Sequence, residues 1–295
     1  MLKMSGNTMW ARKCVARLPG QLLALTVAMA GATGNAHAAY AVSYDTITSF
    51  DVNFTGLSGP FNGFTFSTDV AANAGGAQAN VGLMDAPPAC VGTACVGYNN
   101  AFTSHGAAGD YAYGDAQIAD ANVMGGTGSA SSIGEISAVT AFGTASGSNS
   151  MTAFFTLGAG GGTASFSFNA APYLSIAAGS TATASSSMSI TILNQANSQQ
   201  VFSWTPNGNI GTGIVGGSEA FDAFNLNTGT TPGLTYNPGT GFYQATTNSL
   251  AAGTYSVSIN MGNQVTAVPE ADTYAMLLAG LGLVGFAARR KLNHG

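Results

Sequence analysis

Between residues 39 and 267, apolar and polar side chains alternate with a period of two, the mark of strands with one buried face. Val42, Tyr44, Phe50, Val52 and Phe54 fall on one parity, Ser43, Asp45, Ser49, Asp51 and Asn53 on the other, and Ile47 is out of step. The alternation returns at Ala164, Phe166 and Phe168, at Met188, Ile190 and Ile192, and at Tyr255, Val257, Ile259 and Met261. Each set predicts one apolar sheet face and one face of Ser, Thr or Asn. Asn207-Gly208, Thr231-Pro232-Gly233 and Asn237-Pro238-Gly239 are turn signals between runs, and no long capped amphipathic helix interrupts them. The body is therefore expected to be mainly β: an antiparallel β-sandwich, with a jelly roll or an irregular β-solenoid as alternatives. The Gly/Ala/Ser-rich stretches 71–79, 125–132 and 158–162 read as loops or linkers. Tyr255, entering the last run, suits the corner tyrosine of a sandwich or a plain inward strand position.

Both ends break the alternation. Lys3, Arg12, Lys13 and Arg17 precede an apolar run over residues 22–32, followed by Ala36-His37-Ala38. This order predicts a secretory signal helix cleaved after Ala38, with Ala36 and Ala38 as the small cleavage-site residues. No cysteine stands at a lipoprotein position, so no lipid anchor is expected. At the other end, residues 274–288 are 15 uncharged positions. As a helix they would reach about 22 Å, against roughly 30 Å of bilayer hydrocarbon. Arg289, Arg290 and Lys291 follow and would hold that flank on the cytoplasmic side. The expected organisation is a signal peptide over 1–38, an exported β-rich domain over 39–267, and a sorting segment with a short transmembrane helix over 268–295.

Val268-Pro269-Glu270, the short hydrophobic stretch and the basic cluster together resemble the PEP-CTERM sorting signal of Gram-negative bacteria. The resemblance covers about a tenth of the chain, and Ala271 stands where a second proline is usual. It implies that an exosortase, a membrane-embedded cysteine protease, recognises Pro269 and Glu270, cuts near them and releases the body to the surface or matrix. Gly280, Gly282 and Gly285 also fit a dinucleotide-binding fingerprint. That fingerprint needs a strand before it and an acidic residue about 20 positions after it, and neither is present.

Charge sharpens the picture. All 7 lysines and arginines lie in the two ends, so the body carries carboxylates but no fixed positive charge. Phosphates would meet nothing to neutralise them, which excludes nucleic acid and makes anionic surfaces poor partners. Cys90 and Cys95 are the only cysteines of the exported part, and in an oxidising compartment they read as a disulfide.

Chemistry in the body is sparse. His105 is its only histidine, it sits in a polar loop sequence, and no nucleophile elbow is found. Glu219 and Asp222, or either with Glu135, are the carboxylates to consider for a glycosidase, although no spacing singles them out. Asp110, Asp115 and Asp120 recur every five residues, without the alternate-residue ligand pattern of a compact calcium loop. No catalytic residue, metal site or cofactor is assigned; a structural calcium is the one ion considered.

Three readings follow. The leading one is a non-catalytic surface or extracellular-matrix protein, passed through the secretory translocon, processed by exosortase and associated with exopolysaccharide and biofilm. The second is a carbohydrate-binding or adhesive module using aromatics such as Tyr111, Tyr113, Trp204, Tyr236 or Tyr243. A secreted hydrolase is third.

Overall fold

The computed structural model describes residues 39–74, 77–82, 89–92, 102, 106, 109, 111–138, 143–267, 278–286 and 289. Among the described residues of the compact unit His37–Glu270 there are sixteen strands. They are β1 (Ala39–Phe54), β2 (Thr65–Ala74), β3 (Ala77–Gly82), β4 (Ala89–Gly92), β5 (Tyr111–Asp120), β6 (Gly128–Ala138), β7 (Gly143–Leu157) and β8 (Ala164–Ile176). There follow β9 (Thr183–Asn194), β10 (Gln199–Trp204), β11 (Ile214–Val215), β12 (Gly217–Asp222), β13 (Gly229–Thr230), β14 (Thr235–Tyr236), β15 (Gly241–Thr247) and β16 (Gly253–Ala267).

Two antiparallel sheets of eight strands pack face to face as a sandwich. Sheet A runs β12-β15-β8-β1-β6-β5-β4, with β14 also on β8; sheet B runs β11-β10-β9-β16-β7-β2-β3, with β13 also on β9. The first and last strands of the unit are thus both interior. β16 pairs along its whole length with β7 and over most of it with β9.

Alternation is realised almost without exception in β7, β8, β9 and β16, where every second side chain is buried. Phe166 and Phe168 from sheet A meet Met188, Ile190, Ile192, Val257 and Ile259 from sheet B in the main core. The three turn signals each carry a glycine in the left-handed region, with φ of 78° at Gly208, 82° at Gly233 and 89° at Gly239. Tyr255 is a corner tyrosine: its buried ring sits in the main core, and its hydroxyl donates to the Ala251 carbonyl at 3.0 Å.

β1 departs from the expected parity. Its pairing with β6 slips between Ile47 and Phe50, and its pairing with β8 slips between Thr48 and Asp51. Ser49 takes a φ of 54°, and Thr48 and Ser49 both face solvent. This bulge reverses the faces of the strand. Phe50 and Val52 point into the sandwich as predicted, whereas upstream it is Ala41, Ser43, Asp45 and Ile47 that point in. Val42 and Tyr44 lie on the outer face of sheet A with Tyr111, Tyr113 and Ile133. Ile47 was the residue in phase with the interior.

The core has two thicknesses. At one end the sheets are held apart by Phe50, Phe155, Phe166, Phe168, Phe202 and Trp204. At the other, alanines such as Ala72, Ala112, Ala116 and Ala145 fill the gap, and backbones nearly touch. A Cβ on Gly147 would collide with the Asp115 carbonyl, and one on Gly134 or Gly114 would strike carbonyls of β7. That close approach corrects the reading of two small-residue stretches as loops. Residues 71–74 and 77–79 are in β2 and β3, and residues 128–132 are in β6. Small side chains there permit close sheet packing. Residues 158–162 do form the tight connection between β7 and β8, closed by the Gly161 amide on the Gly158 carbonyl at 2.8 Å.

Outside that unit, residues 278–286 are helical and expose Leu278, Leu281, Leu283, Val284 and Phe286. Nine residues reach about 14 Å, under half a bilayer core. Among the described residues no helix is long and apolar enough to cross a membrane, so the expected transmembrane helix is corrected to a short apolar one. The expected signal peptide over 1–38 lies outside the described residues.

Candidate functional site

A polar layer crosses the interior where the bulge has turned Ser43 and Asp45 inward. Asp45 on β1 is fully buried, and its Oδ2 lies 2.6 Å from the Ser186 hydroxyl on β9. The same hydroxyl is 2.8 Å from the Leu226 carbonyl. Ser186 donates to Asp45 when the carboxyl is ionised; its single hydrogen cannot also serve the Leu226 carbonyl, whereas a protonated Asp45 could donate to Ser186 and free that hydrogen for Leu226. Burial acts in the same direction, pushing the Asp45 carboxyl up to about 7 against the pull of Ser186 and Asn263. Oδ1 of Asp45 has no hydrogen-bond partner. Asn263 on β16 completes the layer: its amide nitrogen donates to the Ser132 hydroxyl on β6 at 2.7 Å, and its oxygen accepts from Ser43. Both sheets are therefore tied through side chains of β1, β6, β9 and β16.

A second cluster covers the outer face of sheet A. The Tyr40 hydroxyl donates to Glu135 at 2.7 Å, the Gly106 amide reaches the same carboxylate oxygen at 3.3 Å, and Tyr113 donates to Asp115 at 2.8 Å. Tyr111 donates to the Gly106 carbonyl and Ser137 to that of Gly109, each at 2.8 Å, so these loop residues are pinned to the sheet. Phe102 packs on the same apolar cluster. Beside it, Tyr44 and Tyr173 stack with ring centroids 4.8 Å apart.

A third arrangement lies at the β12 edge. Glu219 accepts from the Trp204 indole at 2.6 Å and from the Gly211 amide at 2.5 Å. Burial raises its carboxyl above the ordinary value, while those two donors hold it back. Asp222 accepts the amides of Asn207 and Gly208 at 2.9 and 3.0 Å. These carboxylates fix the loop after β10.

The sequence candidates are thus distributed rather than gathered. Glu135 lies four strands from β12, about 19 Å across the sheet, too far to flank a glycosidic bond together with Glu219 or Asp222. Asp115 faces Tyr113, Asp120 accepts the Asn122 amide in a turn, and Asp110 lies outside the described residues. Among the described residues no three potential ligands converge as a metal site. Tyr111, Tyr113, Trp204 and Tyr243 are buried core residues, and Tyr236 is half-buried with its hydroxyl on the Asn225 amide. Cys90 packs beside the outer-face cluster on β4, opposite Tyr113. Cys95, His105, Ala36, Ala38, Val268, Pro269, Glu270, Arg290 and Lys291 lie outside the described residues; Arg289 is exposed.

The described residues form an antiparallel β-sandwich over 39–267 and, in a separate unit, a short apolar helix over 278–286. Residues 267–291 match the PEP-CTERM protein-sorting motif. Proteins with this motif are exported and sorted to the cell surface by an exosortase, and the match begins at the last residue of β16. No curated protein and no solved structure matches the chain.

Proposed function

We propose that the protein is a non-catalytic component of the cell surface or extracellular matrix, associated with exopolysaccharide in biofilm. In this reading the translocon exports the chain, signal cleavage follows Ala38, and exosortase cuts near Pro269 and Glu270 to release the sandwich. The observation that carries it is the sorting motif, whose match begins at the last residue of the sandwich strand β16. The body's four most buried carboxylates hold structure together: Asp45 between sheets, Glu135 and Asp115 on tyrosines, Asp222 on a loop. Replacement of Pro269 and Glu270 by alanine should leave an unprocessed protein in the membrane fraction and remove it from the matrix. Delivery to the matrix at mature size would sink the reading.

The released domain carries, in the same proposal, a Cys90–Cys95 disulfide. Its six-residue ring is worth about 2 kcal/mol by loop entropy. Alkylation of mature protein without reductant should label neither cysteine, and labelling of both would overturn the pairing.

A further inference from the structure

The outer face of sheet B is a regular grid. Alternate positions over 65–73, 144–152, 258–266 and 183–191 point outward from β2, β7, β16 and β9, and cross-strand pairing aligns them in five rows of four. Fourteen of the twenty are Ser or Thr, three are Asn or Gln, and Asp69 alone is charged. The grid measures about 27 Å along the strands and 14 Å across them.

Its central row is Asp69, Ser148, Gly262 and Ser187. Ser148 and Ser187 turn their hydroxyls down onto backbone carbonyls, at 3.4 and 3.3 Å. On either side along β16 stand the exposed amides of Asn260 and Gln264. Gly262 itself is required neither by its backbone, which avoids the left-handed region, nor by packing, since an added Cβ would meet nothing closer than 3.4 Å. The sheet-contact glycines Gly114, Gly134 and Gly147 differ in this respect. Glycine weakens a strand interior and marks places where another molecule comes close to the backbone.

What fits such a face is set by its chemistry. It has no cation for an anionic polymer and no ring inside the grid for stacking. Its hydroxyls and amides give up water at small cost only if a partner returns hydrogen bonds along its whole length. We propose that the outer face of sheet B binds a neutral polysaccharide, laid across the strands over Gly262 between Asn260 and Gln264. Each contact is weak, so retention grows with polymer length. The proposal rests on the reading of the body as a matrix protein.

The test is affinity electrophoresis of the full chain, in mild detergent, through gels containing neutral or acidic polysaccharide fractions from the matrix of the native cells. The neutral fraction should retard the protein, more so for longer chains, and the acidic fraction should not. Gly262→Gln, and Asn260→Ala with Gln264→Ala, should each weaken retardation at least about tenfold without lowering the melting temperature. Equal retardation of wild type and both variants, or none by the neutral fraction, overturns the proposal. Recovery of the protein with the matrix, measured separately by fractionation, decides the parent reading: matrix recovery without retardation removes this face alone.

Discussion

The Ser186 hydroxyl lies 2.6 Å from Oδ2 of Asp45 and so joins an interior strand of one sheet to an interior strand of the other through a buried acid. Tyr236 and Tyr243 lie within electrostatic reach of Asp45, and the body holds no lysine or arginine to stabilise an ionised carboxylate there. Burial therefore favours the neutral form of this acid in the fold.

Stability should therefore depend on pH in an unusual direction. Asp45 is raised from 3.8 to about 7 on folding, so between these values the native state holds a proton that the unfolded chain releases. Its contribution is complete below pH 4, declines as pH rises through 7, and is then exhausted, a span of about 4 kcal/mol. Denaturant melts from pH 4 to 8 should show this decline, and Asp45→Asn should flatten it. A wild-type profile with no slope in that window would refute the assignment.

Gly147→Ala places a methyl against the Asp115 carbonyl, where sheet backbones nearly touch. It should cost about 3 kcal/mol in urea unfolding. Gly262→Ala on the open face should gain about 0.5 kcal/mol instead, because glycine is the more flexible unfolded chain. Similar effects at both sites would mean that the tight sheet contact is not energetically significant.

At Ser49 the left-handed φ of 54° sets the bulge that reverses β1. Ser49→Gly should be tolerated, while the branched side chain of Ser49→Val should lose about 2 kcal/mol. Equal midpoints for the two variants would show that the bulge exerts no such strain.

Trp204→Phe keeps the ring in the core but removes the indole hydrogen bond to Glu219 at 2.6 Å. A loss of about 2 kcal/mol is expected, since the acceptor is charged. Combining it with Glu219→Gln should recover part of that loss, as a double-mutant cycle would register.

The strands around Phe166, Ile190 and Val257 were legible because burial on one face and solvent on the other impose a period of two. What the pattern could not carry was a change of phase inside one strand. Parity was read across Ser49, so Val42 and Tyr44 were placed inside and Asp45 outside; Ile47 held the contrary signal. Small residues misled for a related reason, since Ala72 and Ser132 look like linker when the sheet they must touch is not in view. The sorting segment was legible because three chemically different pieces stand in order. The polar layer was not, because Asp45, Ser186 and Asn263 come from distant strands and meet only after folding.

Sheet B has a further consequence for the history of the molecule. Its two halves, β11-β10-β9 and β7-β2-β3, are joined only by β16. A chain threaded outward from its first residue delivers every other strand before that one. In the proposed export, sheet B would therefore stay open until residues 253–267 emerge, with the sorting tail immediately behind them. Assembly and the arrival of the cleavage motif would then be nearly one event, and a chain cut short of β16 would reach the far side with its second sheet in two pieces.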